Sequence, residues 1–189
     1  MVMHYSVAIY PPAIEMAVVA VMKDRLAAAI GNYGSRNSKA HVTICEFNAD
    51  TEKELLAIKA QLCKLCTTES PLDLLFDHMN TYESGVICIL PDKESEIALK
   101  PLMKRVRDGM NVKMIHKSYN PHISIGRRLD QEKLSVATDL FMNEKIGLTF
   151  KCDGIVLRVF DPKKGQFVVI EEFVFQSKPL PPDEQLSMF

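Results

Sequence analysis

The sequence predicts an α+β protein: two antiparallel sheets forming a central cleft, helices on the outside, and a bilobal chain built on a pseudo-twofold repeat. Two observations carry this. Apolar residues switch between a period of two and a period near 3.6 in the same order twice, over about 4–80 and 85–175. A four-residue pattern also recurs once in each half, as His41-Val42-Thr43-Ile44 and His122-Ile123-Ser124-Ile125. Each reads His, apolar, hydroxyl, apolar. Alternate residues of a strand face opposite ways, so the histidine and hydroxyl of each copy share one face while the apolar pair anchors the other.

The elements follow in order. His4 to Tyr10 alternates as a strand, and Pro11-Pro12 ends it because proline cannot donate to a ladder. Ala13 to Ile30 reads as a helix burying Ile14, Val18, Val21, Met22 and Leu26, stopped at Gly31. A polar loop, Asn32 to Lys39, leads to the first His strand, about Ala40 to Phe47. Asp50 or Thr51 caps a helix burying Leu55, Leu56, Ile58, Leu62 and Leu65, with Glu54 placed for a capping box with Thr51, and Ser70-Pro71 breaks that helix. Leu72 to Met79 and Val86 to Leu90 are strands joined through Glu83-Ser84-Gly85. A helix from Lys93 to Gly109 turns Ile97, Leu99, Leu102, Met103 and Val106 inward. The second polar loop, Asn111 to Asn120, leads to the second His strand, about Pro121 to Arg127. A helix from Gln131 to Asn143 and strands at Ile146–Cys152, Ile155–Phe160 and Gln166–Phe175 close a single domain over 1–176. Ser177 to Phe189, rich in proline, reads as an extended or disordered tail; its Pro-Leu-Pro-Pro run is a weak partner-ligand candidate.

Composition limits the function. A net charge of −1 gives no global basic field for long duplex nucleic acid, but leaves room for a local basic pocket that holds a small or terminal phosphate. No run approaches the roughly 20 apolar residues of a membrane span, and no basic leader precedes the first apolar stretch. The five cysteines, an odd number without a secretion signal, suggest reduced thiols and a cytoplasmic location. Cys63-x-x-Cys66 lies in a helical segment with no second pair at zinc spacing, so no metal and no cofactor are expected. A monomer is expected.

The residues suggest chemistry at phosphorus. Two imidazoles can divide the base and acid roles of an in-line displacement near neutral pH. Thr43 and Ser124 can donate to the non-bridging oxygens. Strand parity carries the first cleft face through Cys45 to Phe47, which makes Phe47 a candidate for stacking on a base. Strict alternation brings Arg128 into phase with His122, whereas a bulge at Gly126 brings in Arg127. Lys39, Lys117 and Tyr119 lie in the loops before the motifs and are further phosphate candidates; His4, His78 and His116 read as structural or surface residues.

With these motifs the chain resembles the 2H phosphoesterase superfamily, and within it the bacterial 2′-5′ RNA ligase and cyclic phosphodiesterase group. His41-Val-Thr43-Ile, Pro121-His122-Ile-Ser124-Ile and the opening Tyr5-Ser-Val-Ala-Ile-Tyr-Pro-Pro12 carry the resemblance, and Arg127 matches a basic residue that many members place after the second motif. Ala40 departs from the proline that often precedes the first histidine. The resemblance implies metal- and ATP-independent hydrolysis of 2′,3′-cyclic phosphates on RNA ends or nucleotides, with His41, Thr43, His122 and Ser124 catalytic and Arg127, Phe47, Lys39 and Tyr119 binding substrate. It leans to His41 as acid and His122 as base. The alternative is a non-catalytic module that binds a nucleotide or RNA end in the same cleft.

Overall fold

A computed structural model describes residues 2–179. Chain order is β1 (Met3–Ile9), α1 (Ala13–Ile30), β2 (Val42–Ala49), α2 (Glu52–Thr68), β3 (Leu72–Tyr82), β4 (Val86–Pro91), α3 (Lys93–Asp108), β5 (Met114–Lys117), β6 (Ile123–Gly126), α4 (Gln131–Phe141), β7 (Leu148–Cys152), β8 (Gly154–Asp161) and β9 (Gln166–Val174). The strands form a strongly curled antiparallel half-barrel in the order β7-β3-β4-β6-β2-β1-β8-β9, with β5 added on β2. The two expected sheets are the two arms of this curl. They meet where β2 touches β6, through the single register pair Val42↔Ile123.

The helices pack on the outer, convex side. Val42, Ile44, Ile123 and Ile125 enter a core with Val19, Met22 and Leu26 of α1 and Leu99, Leu102 and Met103 of α3. Among the described residues, none from a helix lines the concave side. Local signals set the helix ends: α2 has the expected capping box, with Thr51 accepting from the Glu54 amide, and Asp92 and Asp130 cap α3 and α4 in the same manner. Glu69 at the end of α2 takes a bidentate contact from Arg105 of α3 at 2.6 and 2.7 Å, which joins the two helices. The amides of Gln176, Ser177 and Lys178 donate to the carbonyls of Cys66, Glu69 and Thr67, so these residues seal the end of α2. Most of the Pro-Leu-Pro-Pro run lies outside the described residues. No helix among the described residues is long and apolar enough to cross a membrane.

The structure corrects several packing expectations. On α1 the buried residues are Val19, Met22, Lys23 and Leu26, while Ile14 is 77% exposed and Val18 and Val21 also face solvent. That helix is apolar nearly all round, so its periodicity does not select a face. Lys23 sits on the buried stripe because its amine reaches the Ser38 carbonyl at 2.6 Å, the Ser35 carbonyl at 3.2 Å and the Ser38 hydroxyl at 3.1 Å. Burial and then nearby Arg127 pull its pKa down to about 8. Leu56 and Ile97 are exposed as well. Ile97 shares its helix face with Pro101, whose missing N–H leaves the Ile97 carbonyl without a helical donor, and solvent suits that carbonyl. The second polar loop contains the short strand β5, paired to β2.

Candidate active site

Both His-x-hydroxyl-x motifs sit at the junction of the two arms, and both contain the same irregularity. On β2, Val7 pairs with Cys45 and the next residue of β1, Ala8, pairs with Thr43, so Ile44 is an extra residue. On β6, Ile87 pairs with Gly126 and Cys88 with Ser124, so Ile125 is extra. Each is a β-bulge at the last residue of the motif, and a bulge reverses strand parity beyond it. The cleft face therefore runs His41, Thr43, Glu46 on one strand and His122, Ser124, Arg127 on the other.

This parity reversal overturns one expected binding residue. Phe47 is fully buried and stacks on Tyr5 at 5.5 Å between ring centroids; it is a core residue and does not face the cleft. Glu46 takes the cleft position instead. The same reversal brings in Arg127, and Arg128 also lines the cleft from a backbone at φ +56°. Gly126 serves the bulge through space: a Cβ there would come within 2.9 Å of Leu129 and 3.0 Å of Leu26. Gly85, at φ +79°, lets the β3–β4 turn lie against Leu129, whose amide donates to the Gly85 carbonyl at 3.0 Å.

Each bulge carbonyl is held by the loop that precedes the opposite motif. The Ser118 amide donates to the Ile44 carbonyl at 3.0 Å. The Tyr33 hydroxyl lies 3.2 Å from the Ile125 carbonyl. The Arg127 amide adds a bond to the Ser35 hydroxyl at 2.9 Å. Each loop thus positions the other arm's histidine strand.

The two imidazoles are set alike. His41 Nδ1 lies 2.7 Å from the Lys39 carbonyl, and His122 Nδ1 lies 3.0 Å from the Asn120 carbonyl. A carbonyl only accepts, so Nδ1 carries the proton in both rings, and Nε2 is the nitrogen free to take or give one. Both pKa values lie below the ordinary histidine value. Burial is the main cause for His41, followed by the charge of Arg158, and its pKa falls well below. His122 is lowered by burial and then by Arg127 and His116, against the opposing effect of its carbonyl contact. Burial thus favours the neutral ring in both. Thr43 and Ser124 line the same space, and neither hydroxyl has a hydrogen-bond partner among the described residues.

The cleft has a volume of about 810 Å³, within the usual range of small-molecule sites. Lys39, Lys117 and Tyr119 line it; Tyr119 is 62% exposed, with the Arg107 guanidinium 4.8 Å over its ring. His4 and His116, read as bystanders, both line the cleft, and His4 Nε2 contacts Glu46 at 2.9 Å. Tyr10, Arg158, Phe160 and Phe167 were not singled out from the sequence, yet they floor one end. The readable signal was Arg158, a charge in the middle of the apolar run Ile155-Val156-Leu157-Arg158-Val159-Phe160.

A curled antiparallel half-barrel with a matched pair of cleft histidines and hydroxyls defines a class of fold, and comparisons identify the family. The profile of the 2′-5′ RNA ligase superfamily matches residues 10–164. The chain belongs to that superfamily, whose members include 2H phosphoesterases. Among solved structures, TT0787 of Thermus thermophilus is 17% identical with a TM-score of 0.70, covering 94% of this chain and 100% of its own. Escherichia coli LigT complexed with 3′-AMP is 12% identical with a TM-score of 0.68, over 93% and 99%. Usb1 of Kluyveromyces marxianus is 14% identical with a TM-score of 0.57, over 92% and 97%. At these identities the structural matches bear on the fold alone. No curated protein matches the chain by sequence.

Proposed function

We propose that the protein is a metal-independent phosphodiesterase that opens 2′,3′-cyclic phosphates on RNA ends or nucleotides. The observation that carries this reading is the paired tautomer lock: two histidines present Nε2 to one cleft, each beside a hydroxyl with no hydrogen-bond partner among the described residues. A site that only binds phosphate needs donors; it does not need two matched proton-transfer groups. Escherichia coli LigT, of the same fold, has been crystallised with phosphate, 3′-AMP, ATP and NADP+, all phosphate-bearing ligands.

In the proposed reaction one neutral imidazole takes a proton through Nε2 as water attacks phosphorus. The bond from phosphorus to one ribose oxygen breaks in line, and the other imidazole, protonated at Nε2, gives its proton to that oxygen. A phosphomonoester results, and the two imidazoles have exchanged protonation states. Thr43 and Ser124 donate to the non-bridging oxygens, and Arg127 adds charge. Because burial disfavours the imidazolium in both rings, a bound anion is what favours the protonated form of one of them. His41 is the more strongly held neutral, owing to burial and Arg158, and so suits the base; His122 then suits the acid. This reverses the order to which the resemblance leans.

His41→Ala and His122→Ala are each expected to lose about 10²–10⁴-fold in turnover of 2′,3′-cyclic nucleotides while staying folded. Full activity in either variant overturns the reading. A p-nitrophenyl phosphodiester, whose leaving group needs no acid, is expected to restore turnover in His122→Ala and not in His41→Ala. The opposite pattern exchanges the two roles.

A further inference from the structure

Among the described residues, no carboxylate forms an ion pair with Arg158, which is 2% exposed in the middle of β8. The register places it opposite Ser6 on β1, Ser6 opposite Glu46 on β2, and Glu46 opposite His116 on β5. Directly paired residues project from the same face, so this polar row crosses the concave side of the arm. One terminal nitrogen of Arg158 donates to the Ser6 hydroxyl at 2.6 Å. Its Cζ lies 5.6 Å from the Tyr10 ring and 5.1 Å from the Phe167 ring. Its Nε has no hydrogen-bond partner among the described residues.

A buried cation is costly unless a counter-ion accompanies it. The Tyr10 hydroxyl and, less strongly, the Glu46 carboxylate are near enough to favour the charge of Arg158, but that carboxylate is engaged by His4. Burial pulls the Arg158 pKa below the usual arginine value. The side chain lines the cleft, so a cleft ligand is the natural source of the missing negative charge.

The location separates this charge from the reacting phosphate. Tyr10 contacts both positions: its ring is 6.0 Å from the His41 ring, with the Arg158 Cζ 5.6 Å from it. Along the sheet, the Ser6–Arg158 pair is one step beyond the row that holds Ala8 and Thr43. A phosphate held between Thr43 and Ser124 therefore leaves Arg158 for a second anionic group on the same ligand. On a nucleotide with a 2′,3′-phosphate, the anion on the far side of the sugar is the 5′-phosphate.

We propose that Arg158 forms a second anion subsite, which takes the 5′-phosphate of a nucleotide whose 2′,3′-phosphate lies between His41 and His122. The inference rests on the proposed function only for which phosphate fills the reactive position. It makes a 5′-phosphorylated nucleotide, or the last residue of an RNA chain, the preferred ligand over a nucleoside cyclic phosphate ending in a 5′-hydroxyl.

The test is calorimetric and needs no turnover. Adenosine 3′,5′-bisphosphate and adenosine 3′-monophosphate are titrated into the intact protein at fixed ionic strength. The wild type is expected to bind the bisphosphate at least tenfold more tightly. Arg158→Gln is expected to bring the bisphosphate down to the affinity of the monophosphate, and Arg158→Lys, which keeps the charge without the planar fork, to retain part of the advantage. If Arg158→Gln does not fold, the wild-type ratio and the lysine variant still decide. Equal binding of the two ligands by the wild type overturns the inference. So does a bisphosphate advantage that survives Arg158→Gln, which assigns it to the rim cations, and so does an equal weakening of both ligands, which assigns Arg158 to the reacting phosphate. Tight, Arg158-dependent bisphosphate binding in a protein that hydrolyses nothing leaves the subsite standing and removes the catalytic reading; hydrolysis with no bisphosphate preference does the reverse.

Discussion

The arm built from β1, β2, β8 and β9 and the arm built from β3, β4, β6 and β7 carry the same reactive pattern on different ground. Each presents a histidine with its Nδ1 on the carbonyl two residues earlier, a hydroxyl two residues later, and a bulge immediately after that. Beyond the bulge they part. The first arm continues into Glu46 and an end floored by Tyr10, Phe160, Phe167 and the buried Arg158. The second continues into Arg127 and Arg128, facing the rim residues Tyr82 and Ser84. Glu46 and Arg127 occupy matched positions with opposite charge. The backbone device that aims the two histidines is held in common, while the residues that would recognise the rest of a ligand are not. Symmetric proton transfer fits such a site, and a single ligand orientation fits it too.

The strongest test of that comparison removes one hydroxyl from each arm. On the proposed reading, Thr43→Val and Ser124→Ala each lose a donor to the non-bridging oxygens, and each is expected to cost about 10²–10³-fold in kcat/KM on a 2′,3′-cyclic nucleotide. Similar losses mean that the arms share the phosphate evenly. A difference above tenfold means that one arm carries the charge and the other only shapes the cleft. Losses below threefold in both variants break the reading of the hydroxyls as donors.

Acid stability is the next largest effect and separates the two histidines. Each has a folded-state pKa below its unfolded value, mainly because burial disfavours the imidazolium. As pH falls below the unfolded value of about 6.5, the unfolded chain binds a proton that the folded chain does not. Stability is unaffected by these groups above that pH and declines below it, by up to about 1.4 kcal/mol per pH unit for each group until its folded pKa is reached. Urea midpoints between pH 7.5 and 5 are expected to fall less steeply in His41→Gln than in the wild type, with His122→Gln in between, because His41 is the more strongly shifted. An unchanged slope in His41→Gln shows that its ring protonates freely in the folded state.

What the sequence made legible divides along the same line. The histidine and hydroxyl of each motif follow from strand alternation over three residues, which is a local rule, and the structure places all four in one cleft. Phe47 failed four residues further on because a bulge is defined by the partner strand: nothing within Val42–Phe47 announces that Ala8 pairs with Thr43 while Val7 pairs with Cys45. On the other arm, Gly126 pointed to the same device, since a residue without a side chain beside a strand is a visible irregularity. Arg158 reaches the cleft through pairings more than 100 residues apart in sequence, and β5 is a short, mostly exposed strand whose register comes entirely from β2. Local alternation put the two histidines and two hydroxyls on one face, and long-range register decided their neighbours.

The smallest effect concerns how the two bulges are fastened. On the first arm the Ile44 carbonyl is satisfied by a backbone amide, that of Ser118; on the second, the Ile125 carbonyl is met by a side chain, the hydroxyl of Tyr33, whose one proton is shared with the equally distant Lys23 carbonyl. Tyr33 is 9% exposed, and its pKa is pushed up to about 12, chiefly by burial, so its hydroxyl stays protonated and can donate throughout the physiological range. Tyr33→Phe keeps the ring and removes only that donor. Leaving the carbonyl unmet is expected to cost about 1 kcal/mol, or a Tm lower by roughly 2–4 °C for a chain of this length. Turnover is expected to fall only a few-fold, because His122 and Ser124 remain on a paired strand and lose just the fastening beyond them. A tenfold or larger fall in kcat at an unchanged Tm would place the Tyr33 hydroxyl in the reaction itself, and the fastening of the second arm would then rest on the Arg127 amide and Ser35 alone.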